Sequence, residues 1–198
     1  MNNDDLRICF IGDSFVNGTN DPEYLGWTGR VAALARTRGY PLTCYNLGIR
    51  GETSSDIARR WLSEASCRLP EHCRSFLVFS FGVNDTTLEN GRMRVAETQS
   101  VENTRHILMI AKQHYSVALI GPPPIADKDQ NQRTEHLSRR MSEVAAQEGV
   151  PFLSVFEALS QDPGWMAEVS ADDRAHPRAA GYEKLATLVD RWPAWWFK

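Results

Sequence analysis

Short apolar runs recur along the chain, at Arg7–Ile11, Leu42–Tyr45, Phe76–Phe81, Val117–Ile120 and Pro151–Ser154. Runs of this length read as buried strands. Between them, apolar residues fall at helical spacing over Val31–Arg38, Ser54–Glu64, Val101–Gln113, His136–Gln147 and Tyr182–Arg191. Strands alternating with helices predict parallel pairing through right-handed crossovers. The expected fold is α/β, a three-layer α/β/α sandwich around a five-stranded parallel sheet.

Parallel strands deliver their carboxyl ends to one edge of the sheet, where open α/β folds bind ligands. The polar residues of this chain gather after those ends. The first strand runs into "GDS", the second into "YNLGIRGETSSD", the third into "FGVNDTT" and the fourth into "GPPPIAD". Taken alone, Gly12-Asp13-Ser14 is explained by an ordinary strand-to-helix turn with Ser14 as N-cap.

Composition narrows the class. At 198 residues the chain fits one domain, 1–198, with a full core. It is 42% hydrophobic and 24% charged, as soluble globular proteins are, and a net charge of −3 argues against nucleic acid or an anionic membrane as partner. The opening "MNNDDLR" lacks the basic and apolar regions of a secretory signal, and no segment is long and apolar enough to span a bilayer. A cytoplasmic protein is expected. Cys9, Cys44, Cys67 and Cys73 form no CxxC pair and have no metal-ligand spacing to histidine, so they read as buried free thiols, with a Cys67–Cys73 disulfide as the alternative.

A serine hydroxyl becomes a useful nucleophile only with a base in hydrogen-bond reach and a third group that holds the base's tautomer. Four of the five histidines, His72, His106, His114 and His136, sit in charge-rich helical or loop stretches and read as solvated or structural. His176 lies in "DDRAHPRAAGY", three residues after Asp173 and just before Pro177, which can open the last helix at its first position. Composition alone would place an Asp three residues before some histidine in roughly one such sequence in four, so the pair by itself is a weak signal.

Acyl transfer further needs donors aimed at the developing oxyanion. Three follow the right strands: the N–H of Ser14 at a helix start, the N–H of Gly51 before a capping pattern from Thr53 to Asp56, and the side-chain amide of Asn84. Each alone is as well explained as a turn residue. The joint pattern decides.

Ser14 in "GDS", Gly51 in "NLGIRGETS", Asn84 in "GVND" and His176 in "DRAHP" resemble the four blocks of the SGNH hydrolases, the GDSL esterase/lipase family, from Arg7 to about Tyr182. The resemblance implies a flavodoxin-like fold with strand order 2-1-3-4-5. It also implies a Ser14–His176–Asp173 triad and an oxyanion hole of Ser14, Gly51 and Asn84. "GDSF" departs from the usual leucine after the serine, which bears on the shape of the acyl pocket. "FVNGTNDPEYLGWTGR" and "YNLGIRGETSSDIA" are most similar to a bacterial subgroup of compact esterases, some of them arylesterases.

The expected reaction is hydrolysis of small carboxylic esters through an acyl-enzyme on Ser14, without metal or organic cofactor. Thioesters and acetylated sugars are alternative substrates, and the absence of a lid-sized insertion favours small esters over long-chain lipids. Phe15, Tyr24 and Trp27 are expected to form an apolar or aryl-accepting wall, with Arg50 facing the substrate. Asp13 is expected to brace the turn rather than react. A flavodoxin-like module holding phosphate on the Gly12–Ser14 turn is the non-enzymatic alternative. The aromatic tail "RWPAWWFK" is expected either to cover the domain's own core or to form an apolar patch buried by a second subunit, with self-association the favoured reading.

Overall fold

The computed structural model describes residues 5–198; the first four residues of the stretch read as lacking a secretory signal lie outside them. The chain runs through β1 (Leu6–Gly12), α1 (Ser14–Asn17), α2 (Gly26–Thr37), β2 (Leu42–Gly48), α3 (Ser54–Arg68) and β3 (Arg74–Ser80). A 3₁₀ turn at Asn84–Thr86 and a small antiparallel hairpin, β4 (Leu88–Glu89) and β5 (Arg92–Met93), follow. Then come α4 (Glu97–Ala111), β6 (Ser116–Ile120), α5 (Lys128–Glu148), β7 (Phe152–Leu153), α6 (Phe156–Ser160), α7 (Pro163–Ala171) and α8 (Ala179–Arg191). The main sheet has the order β2-β1-β3-β6-β7 with every pair parallel. Counting only its strands, this is the expected order 2-1-3-4-5.

The strand period of two divides the core. Leu6, Ile8 and Phe10 of β1, Phe76 and Val78 of β3, and Ala118 and Ile120 of β6 face one layer. There they meet Trp27, Val31 and Ala35 of α2 and Tyr182, Leu185, Ala186 and Val189 of α8. Cys9, Ile11, Leu77, Phe79, Val117 and Leu119 face the other, against α3, α4 and α5. Both faces are covered, which is why the strands read as continuous apolar runs.

Several expectations change in detail. Helix α5 begins at Lys128, well before the apolar spacing does, because Asp127 caps it by accepting the Gln130 N–H at 2.8 Å. Helix α7 is an element beyond the expected set, and it opens with a capping Asp162 and Pro163 at its first turn. Pro177 precedes the final helix instead of starting it: Arg178 is the N-cap, and Glu168 of α7 accepts the N–H groups of Arg178 and Gly181 at 2.8 and 2.7 Å. All four cysteines are free, and only Cys9 is fully buried.

The C-terminal aromatics take the first of their two expected places. Trp195 and Phe197 are buried in this chain's own core, and Trp192 and Trp196 pack half-buried against it. The Phe197 ring lies 4.8 Å from Phe76 and 5.4 Å from Tyr40. The tail thus packs into the same layer as α2 and α8, against Phe76 of β3. Among the described residues no helix is long and apolar enough to cross a membrane.

Candidate active site

Ser14 occupies the first residue after a turn that only glycine can precede. A Cβ on Gly12 would lie 1.9 Å from the Ser80 carbonyl oxygen, so β1 and β3 could not pair this closely around any other residue. Asp13 then caps α1 by accepting the Phe15 N–H at 3.0 Å. Helix α1 is a single turn, so little macrodipole stands behind the Ser14 N–H.

His176 comes from the far end of the chain. Its Nε2 is 2.6 Å from Ser14 Oγ, and its Nδ1 is 2.5 Å from Asp173 Oδ2. Partial burial acts to raise the pKa of Asp173, but the N–H and ring of His176 and the N–H of Ala175 outweigh it, and the carboxyl is held below its ordinary value. An ionised Asp173 can only accept. Nδ1 therefore carries the proton, Nε2 is left as an acceptor, and the Ser14 hydroxyl donates to it. The Phe15 ring packs against the imidazole at 4.9 Å between centroids.

The two other expected donors flank this serine's edge of the sheet. Gly51 is exposed at φ +77°, a left-handed conformation, and its N–H meets no acceptor among the described residues. Thr53 and Asp56 form the expected reciprocal capping box at the start of α3 just behind it. Asn84 donates one amide hydrogen to the Glu52 carbonyl at 2.9 Å, which ties it to the Gly51 loop and leaves its second hydrogen free.

Two buried carboxyls stand behind the donors. Burial pushes Asp13 up to about 7 against the opposing Phe15 N–H, with Asp85 and Glu52 adding to the rise, and its Oδ2 has no partner. Burial likewise raises Asp85, whose Oδ1 accepts the Ser54 N–H at 2.7 Å. Asp13 thus braces the serine turn, and Asp85 holds the start of α3.

The cavity above Ser14 has a volume of about 260 Å³. Phe15, Val83, Ile125 and Ala175 form its apolar wall, and Asn84, Thr87, Asp127, Gln130 and Arg174 its polar side. Three residues expected to face the substrate do not reach it, and Gly51, the expected second N–H donor, also lies outside its lining. Trp27 is fully buried beneath the sheet, edge-on to Phe10 at 5.3 Å. Tyr24 is 94% exposed and lines a separate hollow with Leu25 and Cys44, and Arg50 is exposed on its loop outside the lining. The residues that take their place, Ile125 and Asp127, follow the carboxyl end of β6, a position that was itself the available signal. A larger hollow of about 680 Å³ between Leu69, Arg74, Lys112 and Tyr115 contains none of these groups.

A serine–histidine–aspartate relay with free donors at the carboxyl edge of a 2-1-3-4-5 sheet defines a serine hydrolase class of site. The GDSL-like Lipase/Acylhydrolase family model matches residues 10–184, and the chain belongs to that family. Among solved structures it is similar to a lipase/acylhydrolase from Enterococcus faecalis, with 25% identity, 94% of each chain covered and a TM-score of 0.74. It also shares its fold with Axe2, an acetylxylan esterase from Geobacillus stearothermophilus, at 20% identity, 95% and 94% coverage and a TM-score of 0.77. LAE5, an alpha/beta hydrolase enzyme from the metagenome of Lake Arreo, Spain, has 20% identity, 92% coverage of both chains and a TM-score of 0.75. No curated protein sequence matches the chain.

Proposed function

We propose that the protein hydrolyses small carboxylic esters, short-chain acyl or aryl, through an acyl-enzyme on Ser14. The observation that carries this reading is the unbroken chain of hydrogen bonds from Ser14 Oγ through His176 to Asp173 at the floor of an open cavity. Ser14 Oγ attacks the carbonyl carbon while its proton passes to His176 Nε2. Asp173 holds the imidazolium that results. The carbonyl oxygen, now negative, takes hydrogen bonds from the N–H groups of Ser14 and Gly51 and from the free amide hydrogen of Asn84. Collapse expels the alcohol, which leaves with the proton from His176. Water activated by the same imidazole then releases the acid.

A cavity of about 260 Å³ suits a small ester. Thioesters use the same steps with a thiol leaving, and acetylated sugars suit the polar side formed by Thr87, Asp127 and Gln130. The phosphate-binding alternative is disfavoured by two features of the turn. The Ser14 hydroxyl is taken by His176, and the Asp13 carboxyl occupies the ground an anion would need.

The test is hydrolysis of p-nitrophenyl esters of two to twelve acyl carbons by the wild type and by Ser14→Ala, with acetylated xylose and an acetyl thioester alongside. Cleavage of the short esters by the wild type alone is expected. Equal rates for the two proteins would overturn the reading.

A further inference from the structure

Arg174 stands between the acid and the base of the relay, and its backbone is left-handed at φ +66°. For a non-glycine residue this conformation is strained, a strain that glycine would avoid. The loop is firmly held. The Ala126 N–H donates to the Arg174 carbonyl at 3.0 Å, and Asp173 Oδ1 accepts the N–H groups of Ala175 and His176 at 3.0 and 2.8 Å. The Arg174 side chain is thus rooted in fixed backbone on the lining of the cavity. Among the described residues its guanidinium meets no carboxylate within 4.0 Å and no hydrogen-bond acceptor. The nearby acids are engaged elsewhere: Asp173 with His176, and Asp127 with the Gln130 N–H. Asp172 precedes Asp173 in the loop, outside the lining.

Arg174 is exposed to solvent, and a strained backbone that holds an unpartnered cation on the lining of a reaction site fits a contact to a ligand. We propose that Arg174 reads an anionic group, a carboxylate foremost, on the alcohol or phenol half of the ester. This rests on the ester-hydrolase reading for its side of the cavity. The leaving oxygen must lie within reach of His176 Nε2 to be protonated, so the leaving half exits along the loop that carries His176, where Arg174 sits two residues away. The guanidinium fork is suited to a planar carboxylate in two-point contact.

The experiment uses a matched pair, 4-acetoxybenzoate and the neutral 4-acetoxybenzamide, which differ only in the charge at the far end of the leaving group. Binding is measured by calorimetry on Ser14→Ala, which leaves the esters intact. The benzoate is expected to bind about fivefold tighter or more, as for a partly screened charge-assisted contact. That preference should fall to near unity in the double variant with Arg174→Gln, and raised salt should erode it. Arg174→Gly, which relieves the left-handed strain, serves as the second variant if Arg174→Gln folds poorly. Equal affinity for the two esters, or a preference that survives loss of Arg174, overturns the proposal. Turnover of both esters by the wild type is scored separately. Failure to cleave either one while the charge preference persists removes the ester-hydrolase reading and leaves the anion site standing.

Discussion

His176 Nε2 accepts from Ser14 Oγ at 2.6 Å although 162 positions separate the two residues in the chain. The contact exists because β1 is an interior strand of the sheet and α8 packs across the layer that includes Phe15 and Val16, so the loop before α8 ends above the serine turn. Glu168 holds that loop's far side through the N–H groups of Arg178 and Gly181.

Asp173→Asn tests the tautomer. An asparagine amide that presents its N–H to His176 Nδ1 forces the ring proton onto Nε2, where it faces Ser14 and abolishes the base. The turnover number for p-nitrophenyl acetate should fall by about a thousandfold or more with little change in KM. A variant with wild-type turnover would remove Asp173 from the relay.

Asn84→Ala removes the side-chain donor proposed for the oxyanion. The expected loss is on the order of a hundredfold in turnover, again with KM nearly unchanged, because the hydrogen bond strengthens only as charge develops. A rise in KM at constant turnover would instead mark Asn84 as a ground-state contact.

Asp13 gives a pH dependence of stability. Its folded pKa of about 7 lies above the ordinary 3.8, so between those values the unfolded chain releases a proton that the folded chain retains. Stability contributed by this group is full below about pH 4, falls as pH rises to about 7, and then levels off. The total is on the order of a few kcal/mol. Asp13→Asn carries no such proton and should lose less stability between pH 5 and pH 8 in urea titrations than the wild type does. Parallel losses in the two proteins would show that Asp13 is ionised throughout.

Phe197→Ala tests the tail. The ring is buried against Phe76, Tyr40 and Trp195, and its removal should cost about 3 kcal/mol in urea unfolding. Because the tail covers this chain's own sheet, the mass by light scattering should be the same before and after. A lower mass in the variant would place the tail between subunits.

Much of the fold was legible in the chain because its physics is local. The apolar runs of β1, β3 and β6 alternate between two buried faces, and Thr53 with Asp56 spells out a helix start within four residues. Signals of the same kind were present and unread at Asp162-Pro163, and polar helix openings such as Lys128–Glu135 carry no apolar period to read. The family blocks likewise marked Ser14, Gly51, Asn84, Asp173 and His176.

What the chain by itself determined was which groups are chemically able to react and which segments form strands and helices, since both depend on residue type and short-range spacing. Tertiary structure alone decided which side chains border the reacting serine. Trp27 and Tyr24 lie ten to thirteen positions from Ser14, yet one is sealed under Phe10 and the other faces solvent. Ile125, Asp127 and Arg174 reach the cavity from more than a hundred positions away because parallel strands bring distant loops to one edge. Burial and the loss of solvent set the charge of Asp13 in the same way: the carboxyl is written in the sequence, but the layers packed around it raise its pKa.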